Sequence, residues 1–157
     1  MKINYRGNIL EIEDARIIFR NFAGLASKFN REGDRNFAVI IPDEETANNL
    51  IEDGWNVKIR PPRTPDESPF MYLPVKIKFN AKGPAVYVVS GNNVTRLNEE
   101  SVDMIDEIDI QSVDMDLRPY DWEVNGKTGR SAYLQAMRVT QNIDRFGAQF
   151  AAEELPF

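Results

Sequence analysis

The sequence contains no cysteine and no histidine. The first absence excludes disulfides, thiolate metal sites and cysteine nucleophiles. The second removes the commonest general base and the commonest metal ligand. Long apolar runs are missing as well: the longest, such as Phe37–Ile41 and Ala85–Val89, reach five residues, against about 20 for a membrane-spanning helix. The stretch Met1–Gly7 is polar, with no apolar signal core, so a soluble, intracellular chain is expected. Glycine-rich phosphate loops, dinucleotide fingerprints and nucleophile elbows are also absent. Enzymatic options therefore narrow to carboxylate chemistry, and no cofactor is expected.

What is present is enough for one folded domain: 157 residues, 42% hydrophobic and 10% aromatic. The net charge of −6 argues against a nucleic-acid binder if taken alone. Its distribution argues otherwise. Asp43–Asp53, Glu99–Asp116 and the pair Glu153 and Glu154 carry net charges of −5, −8 and −2, which leaves +9 on the remainder.

The periodicity is mostly that of strands. Ala15–Phe22 and Asn36–Ile41 are strand-like, joined by thirteen residues containing Gly24 and Gly33 that suit a long loop. Asp43–Asp53 reads as a helix with an acidic first turn and Gly54 just past its end. Trp55, Val57 and Ile59 alternate with Asn56, Lys58 and Arg60. Four prolines in Pro61–Pro69 make that stretch a surface loop. In Met71–Phe79 the apolar residues Met71, Leu73, Val75, Ile77 and Phe79 point inward, with Tyr72, Lys76 and Lys78 outward; Pro74 suggests an edge or a bulge. Lys82-Gly83-Pro84 turns the chain into a strand at Ala85–Ser90, and Asn98 caps a short helix reaching Asp106. The apolar phase changes at Gln111-Ser112, which suggests a bulge. Asn125-Gly126 marks a tight hairpin whose returning strand is Arg130–Thr140. Six or seven short strands with one or two short helices fit a mostly β fold, a five-stranded Greek-key barrel of the OB type with an extra hairpin.

Three constellations could carry function. Asp114 and Asp116, with Asp106 or Asp109, could hold Mg²⁺ for a nuclease or resolvase reaction; as the polar face of a half-buried strand they need no such role. The second is basic and aromatic. Lys58, Arg60, Tyr72, Lys76 and Lys78 share a polar face, the loop adds Lys28, Phe29, Arg31 and Arg35, and the first long strand adds Arg16 and Arg20. The hairpin tip adds Trp122, Lys127 and Arg130, with Tyr133 behind. Cations tracking phosphates beside aromatic faces that stack bases are what single-strand binding requires. Phe19, Phe37, Trp55 and Phe79 sit in phase with aliphatics and are expected in the core, whereas Tyr72 and Phe29 stand beside cations. Lys76 and Lys78 could equally protect a sheet edge.

The third is the carboxyl-terminal Ala-Ala-Glu-Glu-Leu-Pro-Phe, in which Glu153, Glu154, Leu155, Pro156 and Phe157 combine acidity with an apolar, Pro-stiffened end. This ending resembles the tail tip of single-stranded DNA-binding proteins. Asn30–Val39 is likewise similar to the first hairpin of bacteriophage and prophage members of that class. The resemblance implies an OB domain over residues 1–140, non-catalytic coating of single-stranded DNA during replication or recombination in a bacterial host cytoplasm, and a tail over 141–157. Through Pro156 and Phe157 that tail would recruit replication or recombination proteins. Oligomeric state stays open, a homodimer included, and a phage structural or assembly module is the remaining alternative.

Overall fold

A computed structural model describes residues 1–143; the expectations for Glu153–Phe157 lie outside the described residues. Strands dominate. The chain opens with β1 (Lys2–Arg6) and β2 (Ile9–Ala15), an antiparallel hairpin that the polar composition of Met1–Gly7 conceals. β3 (Ile17–Asn21) follows after the single residue Arg16, and β4 is Arg35–Ile40.

The helix α1 (Glu44–Glu52) is where its signals place it. The Asp43 carboxylate accepts the Thr46 N–H at 2.7 Å, Glu44 and Glu45 sit in the first turn, and Gly54 follows at φ +95°. Of the expected alternating stretch, Lys58–Arg60 forms a strand, β5, and Trp55 makes an isolated parallel bridge to Arg130. Trp55 is buried there, but Ile59 is 51% exposed because β5 is a three-residue edge strand. β6 (Phe70–Ile77), β7 (Ala85–Ser90) and β8 (Asn93–Leu97) follow, then a 3₁₀ segment at Val102–Asp106 and the long pair β9 (Ile110–Val124) and β10 (Lys127–Gln141). The register of β9 on β10 skips Gln111, which confirms the bulge that the phase change suggests.

Ten strands form, rather than six or seven: β1, β2 and β8 are additions to the strands read from the sequence, β1 being short and mostly polar and β8 lacking strict alternation, and a bend at Arg16 separates β2 from β3. Asp14 adopts φ 53°, the β2–β9 register slips between Ile12 and Ala15, and the Asp14 N–H donates to Asp114 Oδ1 at 2.9 Å. The chain bends there, so β2 pairs with β9 while β3 pairs with β4.

The sheet runs β1-β2-β9-β10-β6-β4-β3. With β2 and β3 taken as one bent strand, five strands make a Greek key in which β6 and β10 form the parallel pair. The fold is mostly β and OB-like. Among the described residues no hydrogen-bonded ladder closes the sheet; the covalent bend at Arg16 joins β3 to β2 instead. Within lies one core, with Phe22 and Phe37 stacked at 5.2 Å between centroids and Leu10, Leu73, Val75 and Leu117 around them.

Candidate nucleic-acid interface

The site grows from the period of β6. Met71, Leu73, Val75 and Ile77 are buried, so Phe70, Tyr72, Pro74 and Lys76 take the opposite face. Register then supplies neighbours. β5 sets Lys58 opposite Tyr72 and Arg60 opposite Phe70, while β4 sets Asn36, Ala38 and Ile40 beside Lys76, Pro74 and Tyr72. Pro74, which has no N–H to donate, falls between the residues paired with β5 and those paired with β10.

Phe19 joins this face, contrary to the expectation that it fills the core. The β3–β4 register breaks between Ile18 and Asn21, and Phe19 itself adopts φ 56°. That bulge turns the ring out of the alternating phase and leaves it 48% exposed. It meets Tyr72 edge to face at 5.4 Å and Phe70 at 6.3 Å, with the Arg60 guanidinium about 6 Å from the Phe19 and Phe70 rings. Phe37 and Trp55 are in the core and Phe79 packs against it, as expected.

Phe19, Tyr72, Pro74 and Lys76 border a cleft of about 1030 Å³; Phe70, Lys58 and Arg60 adjoin it through Tyr72 and Phe19 without lining it. Its floor is β4, its sides are β6 and β3 with the 3₁₀ segment beyond, and the loop between β3 and β4 overhangs it. Asparagines hold that loop in one shape. Asn21 exchanges both side-chain hydrogen bonds with the backbone of Leu25, and Asn30 Nδ2 donates to the carbonyls of Leu25, Arg31 and Asp34. Gly24 and Gly33 let its two arms approach, since a Cβ on Gly24 would lie 3.1 Å from the Gly33 carbonyl carbon. The loop presents Phe29, 92% exposed, with the Lys28 ammonium 5.6 Å from its ring.

A second aromatic group adjoins the first. The parallel β6–β10 pairing puts Tyr133 beside Lys76, and β9 puts Arg118 opposite Tyr133. Lys76 and Arg118 lie 5.8 and 5.0 Å from the Tyr133 ring, and Tyr120 meets it at 5.9 Å. Lys76, Lys78, Arg31 and Arg35 share a hollow of about 530 Å³ with Tyr133.

Phe19, Phe70, Arg118 and Tyr120 are additions that sequence reasoning missed. Only Phe70 carries a local signal: it stands two residues before Tyr72, in the same phase.

Several cations, Arg31 and Arg35 of the hollow beside Tyr133 included, have protein partners. Arg31 faces Asp34 at 3.7 Å. Arg20 Nη1 donates to the Ile105 and Ile108 carbonyls, both at 2.8 Å. Arg35 donates to the Phe22 carbonyl at 2.8 Å and faces Glu99 at 3.8 Å. Arg130 grips Asp121 through two hydrogen bonds, which hold that carboxyl below its usual range, and also donates to the Asp53 carbonyl. Trp122 lies over Gly129, where a Cβ would collide with the indole, and lines a separate hollow with Arg130 and Asp53. Arg16 is exposed at the bend and Lys127 at the β9–β10 turn, both outside the cleft.

The carboxylates considered for metal are engaged as well. Asp106 accepts the Phe22 and Ala23 N–H groups, Asp114 the Asp14 N–H and Arg138, and Asp116 faces Arg6 at 3.5 Å. Asp109 Oδ2 stands 3.4 Å from Asn142 Nδ2. Among the described residues no cluster of acidic side chains is arranged to hold a metal ion. No helix among them is long and apolar enough to cross a membrane.

Comparison with known proteins places this interface in context. The family described as "Putative phage ssDNA-binding domain" matches residues 2–157. No curated protein matches the chain in sequence. Among solved structures, the C-terminally truncated single-stranded DNA-binding protein from bacteriophage Enc34 is similar in fold, with TM-score 0.57 and 13% identity over 89% of each chain. The Enc34 protein in complex with ssDNA gives TM-score 0.57 and 14% identity, covering 91% of this chain and 92% of that one.

Proposed function

This chain belongs to the family of phage single-stranded-DNA-binding domains, and we propose that its cleft binds single-stranded DNA with little sequence preference, coating and protecting it without turnover. The observation that carries this reading is a pair of aromatic groups on one solvent-facing side, each flanked by cations: Phe19, Phe70 and Tyr72 with Lys58 and Arg60, and, past Pro74, Tyr133 and Tyr120 with Lys76 and Arg118. Phe29 and Lys28 close over it from the loop, and Arg31 and Lys78 extend the phosphate track. Stacking is indifferent to base identity because every base has a π-face.

The setting is phage replication or recombination in the bacterial cytoplasm. There the tail, through Glu153, Glu154, Leu155, Pro156 and Phe157, recruits partner proteins. Titrating the full chain with oligo-dT tests the binding: tyrosine and tryptophan fluorescence is quenched, and affinity falls with salt at a log–log slope of about −0.7 per neutralised phosphate. Absence of binding at low salt overturns the reading, and cleavage of the DNA in Mg²⁺ or Mn²⁺ overturns its non-catalytic part. Removing Pro156 and Phe157 leaves DNA affinity intact or slightly raised and abolishes capture of replication proteins; unchanged capture refutes the tail's role.

A further inference from the structure

We propose that Asp103 and Glu107 make the cleft selective for one DNA strand over two, a specificity role that rests on the single-strand reading above. The cleft is electrically two-sided. Lys76 and Tyr72 stand on its β6 side, and the 3₁₀ segment with Asp103 and Glu107 stands beyond β3 on the other. Only β4 separates β6 from β3, and at about 4.8 Å per strand spacing the sheet between them spans roughly 10 Å.

The acidic rim is fixed in place. Arg20 ties the segment to β3 through the Ile105 and Ile108 carbonyls, and Asp106 accepts the Phe22 and Ala23 N–H groups. Asp106 is therefore structural. Asp103 and Glu107 are exposed, and neither forms an ion pair among the described residues. Arg20 is the one described cation on this side of the cleft, and its guanidinium is directed to the Ile105 and Ile108 carbonyls rather than to either carboxylate.

A single strand satisfies both sides: its phosphates follow Lys58, Arg60 and Lys76, and its bases turn onto the aromatic rings. A duplex carries a second row of phosphates, doubling the charge to about one per 1.7 Å of axis. That row has to lie toward the rim. Within a Debye length of about 8 Å at physiological salt, two unpaired carboxylates there repel it.

The test compares the full-length chain with the double variant Asp103→Asn, Glu107→Gln on oligo-dT and on a duplex of equal length. A control variant, Glu45→Gln, Glu52→Gln, removes the same charge from α1, outside the cleft. Both pairs are exposed, and thermal melting confirms that each variant folds. The rim variant gains about tenfold in duplex affinity and under about threefold for oligo-dT, a difference that shrinks in 1 M salt where the Debye length is about 3 Å. The control shifts both ligands alike. An unchanged ratio overturns the proposal. So does a loss of oligo-dT affinity in the rim variant, which would show the carboxylates accepting the thymine N3–H groups of the bound strand. If the wild-type chain binds no single strand, the underlying reading fails and the rim's role with it.

Discussion

Phe19 and Tyr72 meet edge to face, 5.4 Å between centroids and 79° between planes, although β4 lies between their strands. The contact exists because a left-handed residue in β3 turns Phe19 out of phase, toward the solvent-facing ring on β6. One aromatic surface is thereby built from two strands that do not pair.

That contact is expected to matter for DNA and little for folding. Phe19→Ala and Tyr72→Ala each lower oligo-dT affinity by about tenfold, within the roughly 1–3 kcal/mol that base stacking contributes. Fluorescence anisotropy measures the loss, and the double variant loses less than the product because the rings act on one base. Unchanged affinity in both single variants would remove this patch from the interface.

Cations flanking the rings should report through salt rather than through base identity. Substituting Lys58, Arg60 or Lys76 by alanine makes the log–log salt slope shallower by about 0.7 for each phosphate left without its cation. Homopolymers of different base weaken alike. A slope that stays put in all three variants would assign these side chains to another role.

Arg35 is expected to act on stability. Its side chain is 18% exposed and donates to the Phe22 carbonyl, so Arg35→Met leaves that carbonyl unpaired. Hydrogen bonds to charged groups are worth about 1.5–3 kcal/mol, which lowers the melting temperature by several degrees for a domain of this size. Oligo-dT affinity of the folded variant changes under about threefold by titration below the transition.

Asp114 gives the pH dependence. Partial burial raises its pKa, but the Asp14 N–H and Arg138 outweigh it and hold the carboxyl below its ordinary value. A depressed folded pKa stabilises the native state above the unfolded pKa of about 3.9, and the contribution disappears as pH falls through the lower folded value. Asp114→Asn therefore melts below the wild type from pH 7 to 5, by roughly 1 kcal/mol or less. The two curves converge as pH falls through the lowered folded value, and a gap that stays constant throughout the acid range would show that the effect is not ionic.

Much of the site was legible locally. Tyr72 and Lys76 are placed by period 2 alone, since Leu73, Val75 and Ile77 must be inside. Helix α1 follows from Asp43 and Gly54, and the β9–β10 hairpin from Asn125-Gly126, where both residues take positive φ. Phe19 was not legible, because a bulge leaves composition and spacing unchanged. Nor was the joining of Arg118, Tyr120 and Tyr133 to Lys76: the β9–β10 hairpin sets the first two against Tyr133, but the parallel pairing of β10 with β6, far apart in sequence, brings Tyr133 to Lys76.

The sequence by itself determined the strand-rich character, the faces of β6, the helix ends, the absence of Cys and His chemistry, and the separation of basic from acidic segments. Those depend on residue type and on neighbours within a few positions. The tertiary structure alone decided which cations remain available. Arg20 and Arg130 are bound to carbonyls of distant segments, Arg35 to the Phe22 carbonyl and Arg130 also to Asp121 across its hairpin, while Lys58, Arg60 and Lys76 stand beside aromatic rings. A charge is fixed by its residue, but its partner is fixed by strand order and register, which the long-range packing of the core selects.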